Sequence, residues 1–471
     1  MIGRDFMIGS KRILILTLLF FVSVTTLKQA FAEERAADAT APREGGEVVR
    51  TLTLDQCIAA ALQNNPALQI EREKITELEN DYRIAASNLY PKLSISASYQ
   101  RLDSDRLGTL PTMAYDEETL AQAKVKQVLF DGGRTWFNRR AAARGEEAQK
   151  ESAEGSRLDT VFIVSQAFYR VLEARELLSV SEKSRHQREE FSRLAESFRK
   201  AGRATKLETL KAEAQLLDAE RSLSQAKEAY RLSELILKKI IGMDLGTPIR
   251  VSDGLPEQLP EPGDEEALLR EALANNPDIK KITLLKEQSQ ASLSSAYGAY
   301  LPEISLQGTY GYRDRDTASW TSEWTAGVFL EWSLFEGGLT KAQAGKARSK
   351  MNQIAWNERA VRDQAQVDLR EALGNVRTAL AAVRSSRRLV EAQDESYNAA
   401  LMFYQRGKST YLEVLSAQVD LTQAKASYVR AVGDYQNANA KLDRVVGQGK
   451  SPETERRGNG EMETIDQGGQ S

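Results

Sequence analysis

A chain of 471 residues is long enough for two or three ordinary domains, and its net charge of −3 argues against a general polyanion-binding surface. One cysteine, Cys57, and one histidine, His186, exclude an intrachain disulfide and thiolate or imidazole metal clusters. Ala, Leu, Glu, Lys, Arg and Gln are abundant, a composition that favours long helices.

The chain opens with Lys11 and Arg12, then an apolar run from Ile13 to Val24, then Ala30-Phe31-Ala32, a small-x-small cleavage site. This pattern predicts a secretory signal over 1–32. About 12 apolar residues are too few to span a bilayer as a helix; an uncleaved anchor is the alternative. Cys57 lies beyond the site, inside a helical pattern, so it does not fit a lipid anchor. Residues 33–50 are polar and read as a flexible lead-in. A first repeat is expected over 51–245. Thr53 and Gln56 have capping-box spacing for its opening helix. Asn64-Asn65-Pro66 marks a helix break, and Tyr90-Pro91 ends the second helical run.

There the period changes to two. Leu93, Ile95, Ala97 and Tyr99 alternate with serines and Gln100, giving one oily and one polar face. After a loop with Gly108 and Pro111, a weaker alternation runs to Leu129-Phe130-Asp131-Gly132-Gly133, placing a strand pair at about 92–130. A proline-free helical stretch then extends from about Trp136 to Arg199, roughly 95 Å at 1.5 Å per residue. It turns near Gly202 and returns with three-four spacing to Ile241-Gly242.

A Pro/Gly-rich linker, 246–263, separates this half from a second repeat over 264–449. Asn275-Asn276-Pro277 answers the first break, Leu301-Pro302 answers Tyr90-Pro91, and a strand pair is expected at about 303–335. Leu334-Phe335-Glu336-Gly337-Gly338 repeats the glycine corner. The second turn falls near Gly407. Phe, Gly, Thr, Leu, Glu, Leu and Ala recur in register between Phe198–Ala212 and Phe403–Ala417, about 205 positions apart, the mark of an internal duplication. Gly202 and Gly407 suit left-handed residues past helix ends. Thr205 with Glu208, and Thr410 with Glu413, have capping-box spacing. The tail 450–471 is polar, Gly-rich and reads as disordered.

Strands of about ten residues, oily on one face and polar on the other, match those of a membrane barrel with a wet interior. Four strands cannot close a barrel, and an open edge cannot sit in lipid. Several copies must therefore share one. Two copies would give a barrel filled by side chains, whereas three would leave an aqueous lumen. Helices packed around the same axis would extend that lumen as a tube.

At this point the chain resembles the TolC-like outer-membrane efflux proteins, from Leu52 to about Gly447. The resemblance rests on the duplicated Asn-Asn-Pro, the Tyr-Pro and Leu-Pro strand starts, the two glycine corners and the two tips. It implies a mainly α fold with a 12-stranded outer-membrane barrel above an α-helical periplasmic barrel in a homotrimer. It also implies passage of solutes delivered by an inner-membrane transporter (RND, ABC or MFS) and a periplasmic adaptor, in efflux or type I secretion. Tyr404, Gly407, Thr410 and Glu413 match the family pattern at the second tip; Gly202, Thr205 and Glu208 match it at the first. The resemblance implies a pore gate at Glu413, Ser416, Tyr404 and Glu208. Adaptor docking is expected at Gly202, Arg203, Thr205, Gly407, Lys408 and Thr410. Relatives carry a second acid where this chain has Ser416, and some carry an arginine where it has Ser409, which leaves the bonding of the gate open.

The competing reading is a periplasmic structural coiled coil or a pump adaptor. An adaptor carries one hairpin flanked by β-rich modules, whereas this chain has two hairpins and two strand pairs. An enzyme is disfavoured: no Gly-rich phosphate loop is present, and His186 sits between Arg185 and Arg188 in a charged helix. No catalytic residue, cofactor, metal or nucleic-acid partner is assigned, and no residue pattern names the cargo.

Overall fold

The computed structural model describes residues 50–101, 117–252, 254–255, 259–315 and 320–448. The signal segment, the lead-in up to Val49, the loop with Gly108 and Pro111, and the tail from Lys450 lie outside the described residues. From Thr51 onward the chain forms one structural unit.

Its helices begin where the capping chemistry places them. Thr53 Oγ1 accepts from Gln56 N (3.3 Å) while Gln56 Oε1 accepts from Thr53 N (3.1 Å), opening α1 (Leu54–Asn64). Asn65 closes α1 and opens α2 (Pro66–Ser87): its N–H reaches Ala61 O, and its Oδ1 accepts from Ala67 N (2.9 Å). Pro66 occupies the first turn, where no N–H is needed. Asn276 does the same between α5 (Glu265–Asn275) and α6 (Pro277–Gly298).

The two halves carry long helices of equal length. α3 (Arg134–Lys200) and α7 (Leu339–Gln405) have 67 residues each, about 100 Å. Their return helices, α4 (Lys206–Ile241) and α8 (Tyr411–Val446), have 36 each. On α3 the buried stripe Leu158, Val161, Val164, Phe168, Val171 follows the three-four spacing of one helix face. From Val161 onward it packs with Cys57, Ile58, Leu237 and Ile241 into one apolar belt. Leu369, Leu373, Val376 and Tyr435 build the matching belt in the second half. Cys57 is thus buried core. The linker has structure of its own: β4 (Ile249–Val251) pairs with β1 (Arg50–Leu52) in a small sheet. Strands of three residues are too short to show a period in sequence.

The remaining strands form one antiparallel sheet, in the order β2 (Lys92–Arg101), β3 (Glu117–Phe130), β5 (Glu303–Arg315), β6 (Thr321–Glu331). Register brings Ile95, Ala123, Tyr310 and Trp324 into one row and Leu93, Val125, Gly308 and Ala326 into another. The opposite face carries Ser94, Lys124, Thr309 and Thr325. None of the described residues covers the apolar face; Ile95 is 81% exposed and Trp324 72%. Both outer strands, β2 and β6, have an unpaired edge. The expected strand to 335 is cut short: β6 ends at Glu331, whereas its counterpart β3 continues through Phe130 by pairing with Ile304, Ser305 and Leu306 of β5. Residues 332–335 have no strand in the same chain on that side, so they stay unpaired.

Two glycines per corner turn the chain from strand to long helix, all with positive φ. At Gly132 (φ +69°) a Cβ would stand 2.2 Å from Gly298 O, so both conformation and space demand glycine. Gly132→Ala is therefore expected to cost roughly 2–4 kcal/mol in strain and overpacking. Gly345→Ala, mid-helix with open space around it, is expected to be neutral or to gain about 0.5–1 kcal/mol. Denaturation of the detergent-solubilised protein followed by far-UV circular dichroism distinguishes the two; equal effects would refute the packing role of the corner.

Candidate functional site

The site is built at the two turns farthest along the chain from the strands. Arg203 N bonds Phe198 O (2.7 Å) and Gly202 N bonds Arg199 O (3.0 Å), closing α3 over a left-handed Gly202 (φ +72°). Lys408 N to Phe403 O (2.8 Å) and Gly407 N to Tyr404 O (2.9 Å) close α7 in the same way over Gly407 (φ +74°).

The next helices start differently. At the first tip the box is reciprocal: Thr205 Oγ1 accepts from Glu208 N (3.2 Å) and Glu208 Oε2 accepts from Thr205 N (3.0 Å). At the second, Thr410 Oγ1 still accepts from Glu413 N (3.4 Å), but the pair does not close the reciprocal box of the first tip. The Ser409 hydroxyl donates to Glu413 Oε2 (2.5 Å). A hydroxyl one residue ahead of the cap shares the carboxylate with the Thr410 backbone. The Ser409 bond comes first among the causes that hold the Glu413 carboxyl below the ordinary carboxylate range, followed by the bonds from Thr410.

Glu413, Ser416 and Asp420 are exposed along one stripe of α8, opposite the buried Tyr411, Val414, Ala417 and Leu421. Ser416 Oγ donates to Asp420 Oδ2 (3.5 Å). Asp420 thus places a carboxylate one turn beyond Ser416 on the same stripe. Tyr404 is elsewhere. It is 7% exposed, inside an aromatic cluster where Phe191 lies 5.5 Å from Tyr404 and 5.4 Å from Tyr411. Burial, then Glu208, pushes its phenol above the ordinary value. Tyr404 therefore sits between the hairpins, while Glu208 is half-buried in its own cap.

Arg203 links the tips. Its guanidinium lies 4.6 Å from the Phe198 ring centre, and Nη2 donates to Gln405 O (3.4 Å) at the end of α7. Gly202, Thr205, Gly407, Lys408 and Thr410 are exposed. So are Leu207 and Leu412, equivalent positions at 61% and 64% exposure. Their recurrence in register was visible in sequence; their exposure was not. His186 is solvated on a helix face, 3.6 Å from Glu190. The arrangement presents carboxylates on one helix face, and basic and apolar side chains around two turns.

An open sheet with a lipid-suited face, joined to paired helical hairpins, defines a membrane-duct protein. The profile of the outer membrane efflux protein family matches residues 57–243 and 268–448, and the chain belongs to that family of outer-membrane efflux channels. It is 25% identical over 409 residues to the outer membrane efflux protein BepC of Brucella suis, covering 85% of this chain and 87% of BepC. It is 22% identical over 421 residues to the toluene efflux pump outer membrane protein TtgC of Pseudomonas putida, covering 85% and 84%. The crystal structure of VceC from Vibrio cholerae superposes with a TM-score of 0.74 at 18% identity, covering 84% of this chain and 96% of VceC.

A depressed Glu413 pKa has a definite sign. The bonds from Ser409 and Thr410 support the tip at neutral pH, and their contribution is lost as pH falls through the depressed value. Ser409→Ala is expected to move the Glu413 titration upward, toward the ordinary carboxylate range. The carboxyl 13C chemical shift of Glu413 followed against pH reads this; an unmoved midpoint would refute the Ser409 contact.

Proposed function

We propose that three copies of this chain close a 12-stranded barrel in the outer membrane, after export by the N-terminal signal. Their helices form the exit tunnel of a tripartite pump or type I secretion system. One observation carries this reading: a four-stranded sheet with both edges open and an apolar face that none of the described residues covers. Lipid covers such a face only if the edges are paired, and more than eight strands are needed for a lumen. A passive duct takes its cargo from the transporter behind it. The toluene of one relative's name therefore does not transfer to this chain.

The tips are the docking end. Arg203, Arg406 and Lys408 surround the two turns, and Leu207 and Leu412 add equivalent apolar contacts for a periplasmic adaptor. Gly407→Pro forces φ from +74° to about −65° and removes the N–H bonded to Tyr404 O. It is expected to abolish export and adaptor pull-down while leaving a trimer in the outer-membrane fraction. Export with normal adaptor binding would refute docking; a monomer or dimer as the stable wild-type species, by mass in detergent, would refute the shared barrel.

Glu413, three times around the axis, would form a ring of carboxylates with Asp420 two turns above. Ring repulsion favours protonation as the ring tightens, whereas Ser409 favours the charged form. Glu208 is the control, since its carboxylate is held in its own cap. Glu413→Gln is expected to lower cation selectivity in planar bilayers several-fold more than Glu208→Gln. Equal changes would reduce Glu413 to a helix-end acid.

A further inference from the structure

The duplication supplies a template for a contact that one copy of the chain leaves unmade. Within a copy, α3 of the first half packs against α6 of the second. Gly145 lies so close to Gln288 that a Cβ there would stand 2.8 Å from Nε2, and Lys281 Nζ donates to Ser152 Oγ (2.9 Å). The duplicated pair is α7 and α2, which have no packing of comparable extent within the chain.

Register follows from the repeated landmarks. Taking Gly132 to Gly337 along the long helices and Pro66 to Pro277 along the short ones, Gly145 maps to Lys350 and Gln288 to Glu77. A small residue against an amide in one seam becomes a cation against a carboxylate in the other. Lys350 and Glu77 are both exposed, and neither has an ion pair among the described residues. Glu77 stands on a wholly exposed α2 stripe with Ile70, Glu73 and Ile84, the counterpart of the α6 face that meets α3.

The strands give a second, independent pair. Lys126 Nζ meets Glu303 Oε1 (3.0 Å), joining β3 to β5. The same mapping takes Lys126 to Glu331 and Glu303 to Lys92, so the two charges exchange places and remain complementary. Both positions are exposed, on the open strands β6 and β2. Residues 332–335 map to the part of β3 that pairs with Ile304–Leu306, which predicts that β6 lengthens along β2 of a neighbouring copy.

We propose that copies of this chain join head to tail through a charge-paired seam, Lys350 of one against Glu77 of the next and Glu331 against Lys92. The proposal rests on the shared-barrel reading and adds how neighbours recognise each other. Because the seam inside each copy places no charge at Gly145, Glu77 finds its cation only on another copy, and a head-to-tail contact of this kind generates a ring. Opposite charge at fixed register also disfavours a slipped pairing.

Lys350→Glu and Glu77→Lys are each expected to raise the monomer-to-oligomer ratio in detergent about tenfold, more at low salt. The double reversal is expected to return the ratio to within about twofold of wild type. Native mass measurement reads the ratio, and far-UV circular dichroism checks that these surface variants keep their helix content. Glu331→Cys with Lys92→Cys is expected to cross-link neighbouring copies on oxidation, Cys57 being buried. Oligomers indifferent to both single reversals, a double reversal as weak as the singles, or no cross-link would overturn the seam while leaving the shared barrel standing. A wild-type monomer would overturn both.

Discussion

An unpaired strand edge has no place in hydrocarbon. Every N–H and C=O along it lacks a partner where no water can serve, at several kcal/mol each. The sheet of this chain has two such edges, on β2 and β6, and a face of Leu93, Ile95, Trp324 and Val328 that water would reject. Closure with other copies resolves both at once. It turns the oily face outward to lipid and the Ser94, Lys124, Thr309, Thr325 face inward to water. The helical part then inherits the axis, because each long helix starts directly after a two-glycine corner, separated by three residues from β3 in the first half and by seven from β6 in the second.

Duplication makes that closure economical in sequence. One strand-pair-and-hairpin unit, written twice, supplies contacts within the chain and a pattern for contacts between chains. The two copies have nonetheless diverged where they do different work. Gly132 is wedged against Gly298, whereas Gly337 and Gly338 keep the same left-handed conformation with open space around them. At the tips, Glu208 is spent on its own cap while Ser409 shares Glu413 with the backbone. The same motif thus yields a reciprocal cap in one half and an exposed carboxylate shared with Ser409 in the other.

Local chemistry was legible in the sequence where a residue acts on its own backbone. Asn65, Asn276, Thr53, Thr205, Gly202 and Gly407 adopt the roles their types predict, because caps and left-handed turns depend on neighbours within four positions. The strands were legible because burial on one face forces a period of two. Positions decided by a competitor or a distant partner were not. Ser409 shares Glu413 with the Thr410 backbone; Tyr404 is drawn in by Phe191, more than 200 residues earlier; β6 stops where the pairing strand must come from elsewhere. Asp420 was hidden by a motif that looks one turn away rather than two.

The cores along the helices differ in how well they satisfy polar groups. In the mid-helix belts, Tyr435 Oη donates to Pro260 O (2.6 Å) and the buried Lys238 reaches Leu245 O (3.3 Å), while Asn437 Oδ1 is buried without a protein partner. Nearer the tips, Phe191, Tyr404, Tyr411 and Leu421 join the two hairpins. In that same region Arg188 Nε, Tyr404 Oη, Tyr411 Oη and Gln418 Nε2 are buried without protein partners. Arg188 is only partly compensated, by Gln215 at 3.0 and 2.7 Å, and burial pulls its pKa below the ordinary value. Each unpaired atom costs about 1–3 kcal/mol when dry and recovers water if the hairpins part. Apolar burial holds the tips together while these atoms oppose it, so the balance there is finer than in the belts.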